Sequence, residues 1–162
     1  MLNFKSEFYL KLIFIISLIS IISAYFIEYV LGHQPCNLCI IERIPYVLSM
    51  FLIAINYIKK NNEGFIILLL MLTFIFSFFI SVYHFGIEQG FFEESIVCSV
   101  KDTSNILSKE ELLKILKEKT ISCRDVTFRI FGLSLTSINI VLSLIIIFVL
   151  IRAYTNYEKI KL

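Results

Sequence analysis

Apolar residues run along this chain in four long stretches, 12–31, 40–58, 65–85 and 130–151. Glu28 is the only charge in the first, and the third carries no carboxylate, Lys or Arg. A helix rises about 1.5 Å per residue, so about 20 residues cross a hydrocarbon layer of about 30 Å. The first, third and fourth stretches meet that length. The second is marginal, and it puts Cys39 to Arg43 at the membrane lip. The pattern predicts an all-α membrane protein, a four-transmembrane-helix bundle forming a single domain over 1–162. Lys5 and Lys11 precede the first stretch and Ser23-Ala24 within it offers small residues, as at a cleaved leader. Its apolar run is longer than the 7–15 residues typical of a signal peptide, so it is expected to stay as a span.

Between the stretches lie a segment at 32–43, a short turn at 59–64 and a long segment at 86–129. Within the long one, Ser108 and Glu111 are spaced as a capping box, followed by Leu112, Leu113, Ile115 and Leu116. This predicts a short amphipathic helix, resting on the membrane surface or folded onto its own loop.

Composition agrees. Hydrophobic residues make up 58% and charged residues 17%, with mean hydropathy +0.85. That excludes disorder and departs from the roughly 25% charge of soluble domains. The net charge of +2 gives no argument for nucleic acid as a partner. Four spans put both termini on one side with the 59–64 turn. Lys5, Lys11, Lys59, Lys60, Arg152, Lys159 and Lys161 flank that side in short segments, whereas 32–43 holds only Arg43. The long segment holds seven basic residues and eight carboxylates. Counted close to the spans, the basic residues favour termini inside.

All four cysteines, Cys36, Cys39, Cys98 and Cys123, then fall on the opposite side. If that side is periplasmic, disulfides persist there. Cys36 and Cys39 form a C-x-x-C pair, a pattern shared by zinc and redox sites. Arg43 follows Cys39 by four residues, which on a continuous helix sets a guanidinium one turn below the thiol. A nearby cation favours thiolate. Pro45 suits a first helical turn. Cys98 and Cys123 lie 25 positions apart. Four cysteines can hold zinc, although a structural site usually shows two close pairs. They can also make two structural disulfides, and a Cys98–Cys123 link would stabilise by roughly 3.5 kcal/mol in the chain-entropy model. A C-x-x-C disulfide closes too small a loop to stabilise much, and strained disulfides tend to be labile or catalytic. Arg43 alone also reads as an interfacial residue reaching for water.

Three motifs sharpen the reading: Pro35-Cys-Asn-Leu-Cys-Ile-Ile-Glu-Arg43, Tyr83-His-Phe-Gly-Ile-Glu-Gln-Gly90, and Ser122-Cys-Arg-Asp-Val-Thr-Phe-Arg-Ile-Phe-Gly-Leu-Ser134. Together with the order of spans and loops, the chain resembles the disulfide bond formation protein B (DsbB) family over nearly its whole length. The resemblance implies a thiol–quinone oxidoreductase of the bacterial inner membrane, with 32–43 and 86–129 in the periplasm. It implies that a Cys98–Cys123 disulfide is attacked by a reduced thioredoxin-fold oxidase (DsbA-like), with Cys98 forming the mixed disulfide. Cys123 then attacks Cys36 of a Cys36–Cys39 disulfide, and Cys39 leaves facing ubiquinone or menaquinone. Arg43 polarises a quinone oxygen, and His84 lines the same pocket; no metal is expected. Two other classes remain open. One is a quinone-linked thiol enzyme like vitamin K epoxide reductase, which would use different motifs. The other is a non-enzymatic membrane scaffold with structural disulfides.

Overall fold

The computed structural model describes residues 4–59, 63–93, 98, 122–125, 128–130 and 132–161. Its helices are α1 (Phe4–Tyr29), α2 (Asn37–Ile41), α3 (Ile44–Lys59), α4 (Glu63–Glu88) and α5 (Leu135–Lys161). Before α5, strands β1 (Arg129–Ile130) and β2 (Leu133–Ser134) pair antiparallel, Arg129 opposite Ser134. Four segments are long and apolar enough to cross a membrane: Ser6–Tyr29, Asn37–Ile58, Glu63–Glu88 and Leu135–Glu158. The protein is an all-α, multi-pass membrane protein, as the apolar pattern predicts. The expected amphipathic helix at 108–116 lies outside the described residues.

The bundle is arranged for lipid. Phe51, Phe76, Phe79 and Phe148 stand exposed on its outer faces, while Ser17, Ser49, Ser77, Ser81 and Ser143 are fully buried. Between helices in a bilayer the hydrophobic effect gives little drive, so close packing and interhelical hydrogen bonds hold the contacts. Ser17 and Ser49 bond at 2.9 Å between α1 and α3. Ser143 donates to Ser77 between α5 and α4 at 3.4 Å. Helix α4 packs along α5, α1 against α3 and α5, and α3 against α4. Their shared centre contains Leu10, Ile13, Ile53, Ile67, Leu70 and Phe74. The Ser6 hydroxyl of α1 donates to Glu63 at the start of α4.

Helix α1 begins earlier than the apolar pattern, at Phe4, and α5 runs on to Lys161. Two further boundaries differ for a local reason. The fourth helix starts at Leu135 and not at 130, because Gly132 turns the chain at φ 85° and makes a hairpin of residues that hydropathy alone assigns to the span. Ser134 then caps the helix, accepting from the Ser137 N–H at 3.2 Å. The second span is not one continuous helix. The Arg43 N–H bonds back to Ile40 at 3.1 Å, and α3 begins at Ile44. Pro45 is the cause: it has no N–H, and its ring would clash with the carbonyl of Ile41 in an unbroken helix. At the same membrane face, α1 ends at Tyr29, and just beyond it Gly32, at a φ of 73°, lets the His33 N–H reach back to the Ile27 carbonyl at 3.2 Å.

Candidate functional site

The end of α1, the α2–α3 break and the hairpin before α5 lie at one end of the bundle, and that end holds all four cysteines. Cys36, Cys98 and Cys123 are buried with Leu38 and Ile87, and Cys39 packs against them. Cys98 and Cys123 are joined in a disulfide with Cα atoms 5.3 Å apart. A turn closed by the Asp125 N–H on the Ser122 carbonyl presents Cys123, and Phe128 from the same segment lies 5.0 Å from His33. That ring contact ties the long segment to the first one.

Cys36 and Cys39 are free thiols, their sulfurs 2.7 Å apart. Cys36 occupies the N-cap of α2, and its Sγ accepts from the Cys39 N–H at 3.2 Å. Immediately outside the membrane-spanning segment, this thiol is pulled down from 9.0 to about 5. The hydrogen bond with Cys39 is the largest cause; burial opposes it, and His84 adds a hydrogen bond and positive charge. Cys36 is therefore the ready thiolate of the pair at neutral pH.

Behind Cys36 stands a buried polar chain. His84 of α4 is 1% exposed. Its Nε2 lies 3.5 Å from Cys36 Sγ and its Nδ1 lies 3.0 Å from Glu42 Oε1. Asn139 of α5 donates to the other Glu42 oxygen at 3.1 Å and to Ser81 at 2.7 Å, and it accepts from the Tyr46 hydroxyl. Thr136 donates to Glu88 at 2.5 Å and sits 3.4 Å from His84 Nδ1. Ionisable groups at this depth are costly unless mutually bonded, and in membrane spans they mark function.

Arg43 takes a different course from the one the sequence spacing suggests. Its guanidinium bonds Glu28 of α1 at 2.5 Å and lies 5.2 Å over the Tyr25 ring. The break at Pro45 removes the continuous helix that would stack Arg43 beneath Cys39. Both residues nevertheless border one cavity of about 320 Å³. Ile19, Ala24, Ile27 and Leu142 supply apolar wall, and Cys39, Glu42, Arg43 and Asn139 a polar one. His84 is not among its lining residues: Glu42 stands between. A second cavity, of about 30 Å³, is bordered by Cys36, Cys39, Cys123, His84 and Glu88. Cys123 of the disulfide thus shares one small space with the free pair.

A metal and a cofactor place different demands here. Ligand atoms of Cys36, Cys39 and His84 lie within 4.8 Å of one another. Two thiolates on tetrahedral zinc, each at about 2.3 Å, stand roughly 3.8 Å apart. Sulfurs at 2.7 Å are placed for bonding to each other. The larger cavity has the volume and the mostly apolar wall of a small-molecule site.

Sequence reasoning picked out the four cysteines, Arg43 and His84, but not Glu42, Asn139, Thr136 or Glu88. Glu42 was within reach, as a carboxylate inside a motif at the membrane lip. Asn139 carried no such signal, since a lone amide in an apolar stretch shows nothing of its partners.

Comparison with known proteins gives the same reading. The family model for disulfide bond formation protein DsbB matches residues 6–153. The uncharacterized protein RP370 of Rickettsia prowazekii (strain Madrid E) is 30% identical over 148 residues, covering 89% of this chain and 86% of its own length. No solved structure matches. With four spans, two cysteine pairs at one end and a family match over nearly all its length, the chain belongs to the DsbB family of membrane disulfide oxidoreductases.

Proposed function

We propose that this single-domain protein sits in the bacterial inner membrane with its cysteine end toward the periplasm, reoxidises a thioredoxin-fold thiol oxidase, and passes two electrons to a membrane quinone. One observation carries the reading. Cys36 and Cys39 share the small cavity with Cys123, while Cys39 also borders the large apolar one. The dithiol stands between a disulfide and a space for an acceptor.

In this reading the partner's thiolate attacks the Cys98–Cys123 disulfide at Cys98 and frees Cys123. Cys123 is already beside the Cys36–Cys39 pair, to which it relays the exchange. His84 and the Cys39 N–H hold Cys36 as thiolate. Arg43 spends one guanidinium nitrogen on Glu28 and keeps further N–H donors for an oxygen in the cavity. A quinone bound there supplies the acceptor for two electrons and two protons. Such an acceptor is needed energetically, because a soluble oxidase near about −120 mV is reoxidised only by something at least as oxidising. The basic residues crowded at the opposite face support the orientation.

The test is purified protein with a reduced thioredoxin-fold oxidase and a short-chain ubiquinone or menaquinone. One quinone should be lost for every two partner thiols oxidised, and Cys39→Ser should stop the quinone loss. Thiol oxidation that proceeds equally without quinone overturns the reading.

A further inference from the structure

The quinone reading leaves the protons unassigned. Forming the Cys36–Cys39 bond breaks two S–H bonds, releases two electrons and sets free two protons, and the acceptor needs all four. Cys39 borders the large cavity itself, whereas Cys36 does not and reaches it along a bonded route, from Cys36 Sγ to His84 Nε2 at 3.5 Å, across the ring, and from Nδ1 to Glu42 Oε1 at 3.0 Å. Glu42 is a lining residue of the large cavity, and His84 is not.

Resting on that quinone reading, we propose that His84 and Glu42 form a proton relay from the Cys36 thiol to the acceptor cavity, with Glu42 the residue that delivers the proton. An ionised carboxylate only accepts, so Glu42 assigns the ring proton to Nδ1 and leaves Nε2 as the acceptor facing sulfur. First the Cys36 S–H bond breaks and Nε2–H forms, leaving a thiolate beside an imidazolium; then Nδ1–H breaks and an O–H forms on Glu42. The Glu42 O–H then passes its proton to an oxygen in the cavity. Water is a poor substitute, because His84 is 1% exposed and the space beside the thiols is only about 30 Å³. Asn139 fixes the second Glu42 oxygen and so aims the carboxyl. Other ionisable groups face the route as well. Cys39 touches Cys36, Glu88 Oε1 lies 3.9 Å from His84 Nε2, and Asp125 borders the small cavity.

The relay separates acid chemistry from shape. Glu42→Gln keeps the side chain's size and its bond to a neighbour but cannot carry a proton; Glu42→Asp keeps the acid and shortens the reach. Pre-reduced full-length protein is mixed with short-chain ubiquinone, and one turnover is followed by absorbance. The expected results are at least a tenfold slowing in Glu42→Gln, a faster rate in Glu42→Asp than in Glu42→Gln, and a wild-type solvent deuterium effect of about 2 or more. A readout without quinone accompanies it: site-resolved alkylation of Cys36 against pH in the reduced protein. Its midpoint should rise by a unit or more in Glu42→Gln and less in Glu42→Asp, because the imidazolium beside sulfur loses its counter-charge. Glu42→Gln matching or exceeding Glu42→Asp in turnover, or an unmoved alkylation midpoint, overturns the relay while quinone turnover by wild type stands. Wild type that reduces no quinone removes the acceptor reading and the relay with it. If Glu42→Gln does not fold, wild-type turnover with no deuterium effect overturns the relay by itself.

Discussion

Arg43 and Glu28 bond at 2.5 Å across the gap between the α2–α3 break and α1, each side chain about one-fifth exposed. In half-buried surroundings the pair fixes how α1 borders the larger cavity as well as where the guanidinium points. Arg43→Met leaves Glu28 without a partner and should cost roughly 1.5–3 kcal/mol. Arg43→Lys keeps the charge but not the planar fork and should cost less. A double-mutant cycle with Glu28→Gln, read by thermal unfolding, should show coupling of at least about 1 kcal/mol. Additive effects would mean the pair contributes nothing as a pair. Quinone kinetics in Arg43→Lys are the separate check on the cofactor role, with a raised KM expected.

Exchange with the partner should depend unequally on the two loop cysteines. Cys98→Ser should abolish the trapped mixed disulfide, and Cys123→Ser should accumulate it, since one sulfur receives the attack and the other resolves it. Non-reducing gels of the two variants decide this; equal trapping in both would remove the assignment.

The depressed Cys36 thiol links stability to pH. Its folded-state value of about 5 lies below the ordinary 9.0, with the Cys39 hydrogen bond the main cause. A depressed group contributes fully above its unfolded value and loses that contribution as pH falls through the folded one. Reduced protein should therefore lose Tm relative to the oxidised form as pH is lowered from about 9 to about 5. A constant difference between the two forms across that window would contradict the thiolate.

Asn56 is 1% exposed, and neither of its side-chain polar atoms has a partner among the described residues. Unpaired buried amides cost about 1–3 kcal/mol, and replacing one with an apolar group of like size removes the cost. Asn56→Leu should leave the Tm unchanged or raise it by a few degrees. A drop would show that the amide is satisfied in the bilayer.

Orientation is testable by labelling. With the disulfide reduced, an impermeant thiol reagent applied to spheroplasts should modify native cysteines from the outside. Modification confined to inverted vesicles would reverse the topology.

What the sequence made legible is what depends on local content. Lipid selects long apolar runs, so the second and third spans show in hydropathy nearly to their ends, while the first starts at Ser6 and not at 12. The cysteines announce themselves by type and spacing. The fourth boundary failed because Ile130 and Leu133 are as apolar in a hairpin as in a helix; the informative residues were Gly132 and Ser134. Arg43 lines the same cavity as Cys39, but its guanidinium bonds Glu28, a partner the spacing does not show. Its spacing from Cys39 implied a continuous helix, and Pro45 denies one. The Glu42–His84–Asn139 chain joins three separate helical segments, and no local pattern encodes a bond between residues 97 positions apart.

The break ahead of Pro45 has a consequence for how this segment tolerates change. Glu42 and Arg43 are neighbours in the chain, yet one reaches inward to α4 and the other across to α1. A single kinked turn aims an acid and a base at the same chamber from different sides, with Cys39 only three residues upstream. Inserting or deleting one residue between Cys39 and Pro45 would swing both side chains off target at once. Relatives should therefore vary freely in loop length on either side of this turn but keep its residue count unchanged.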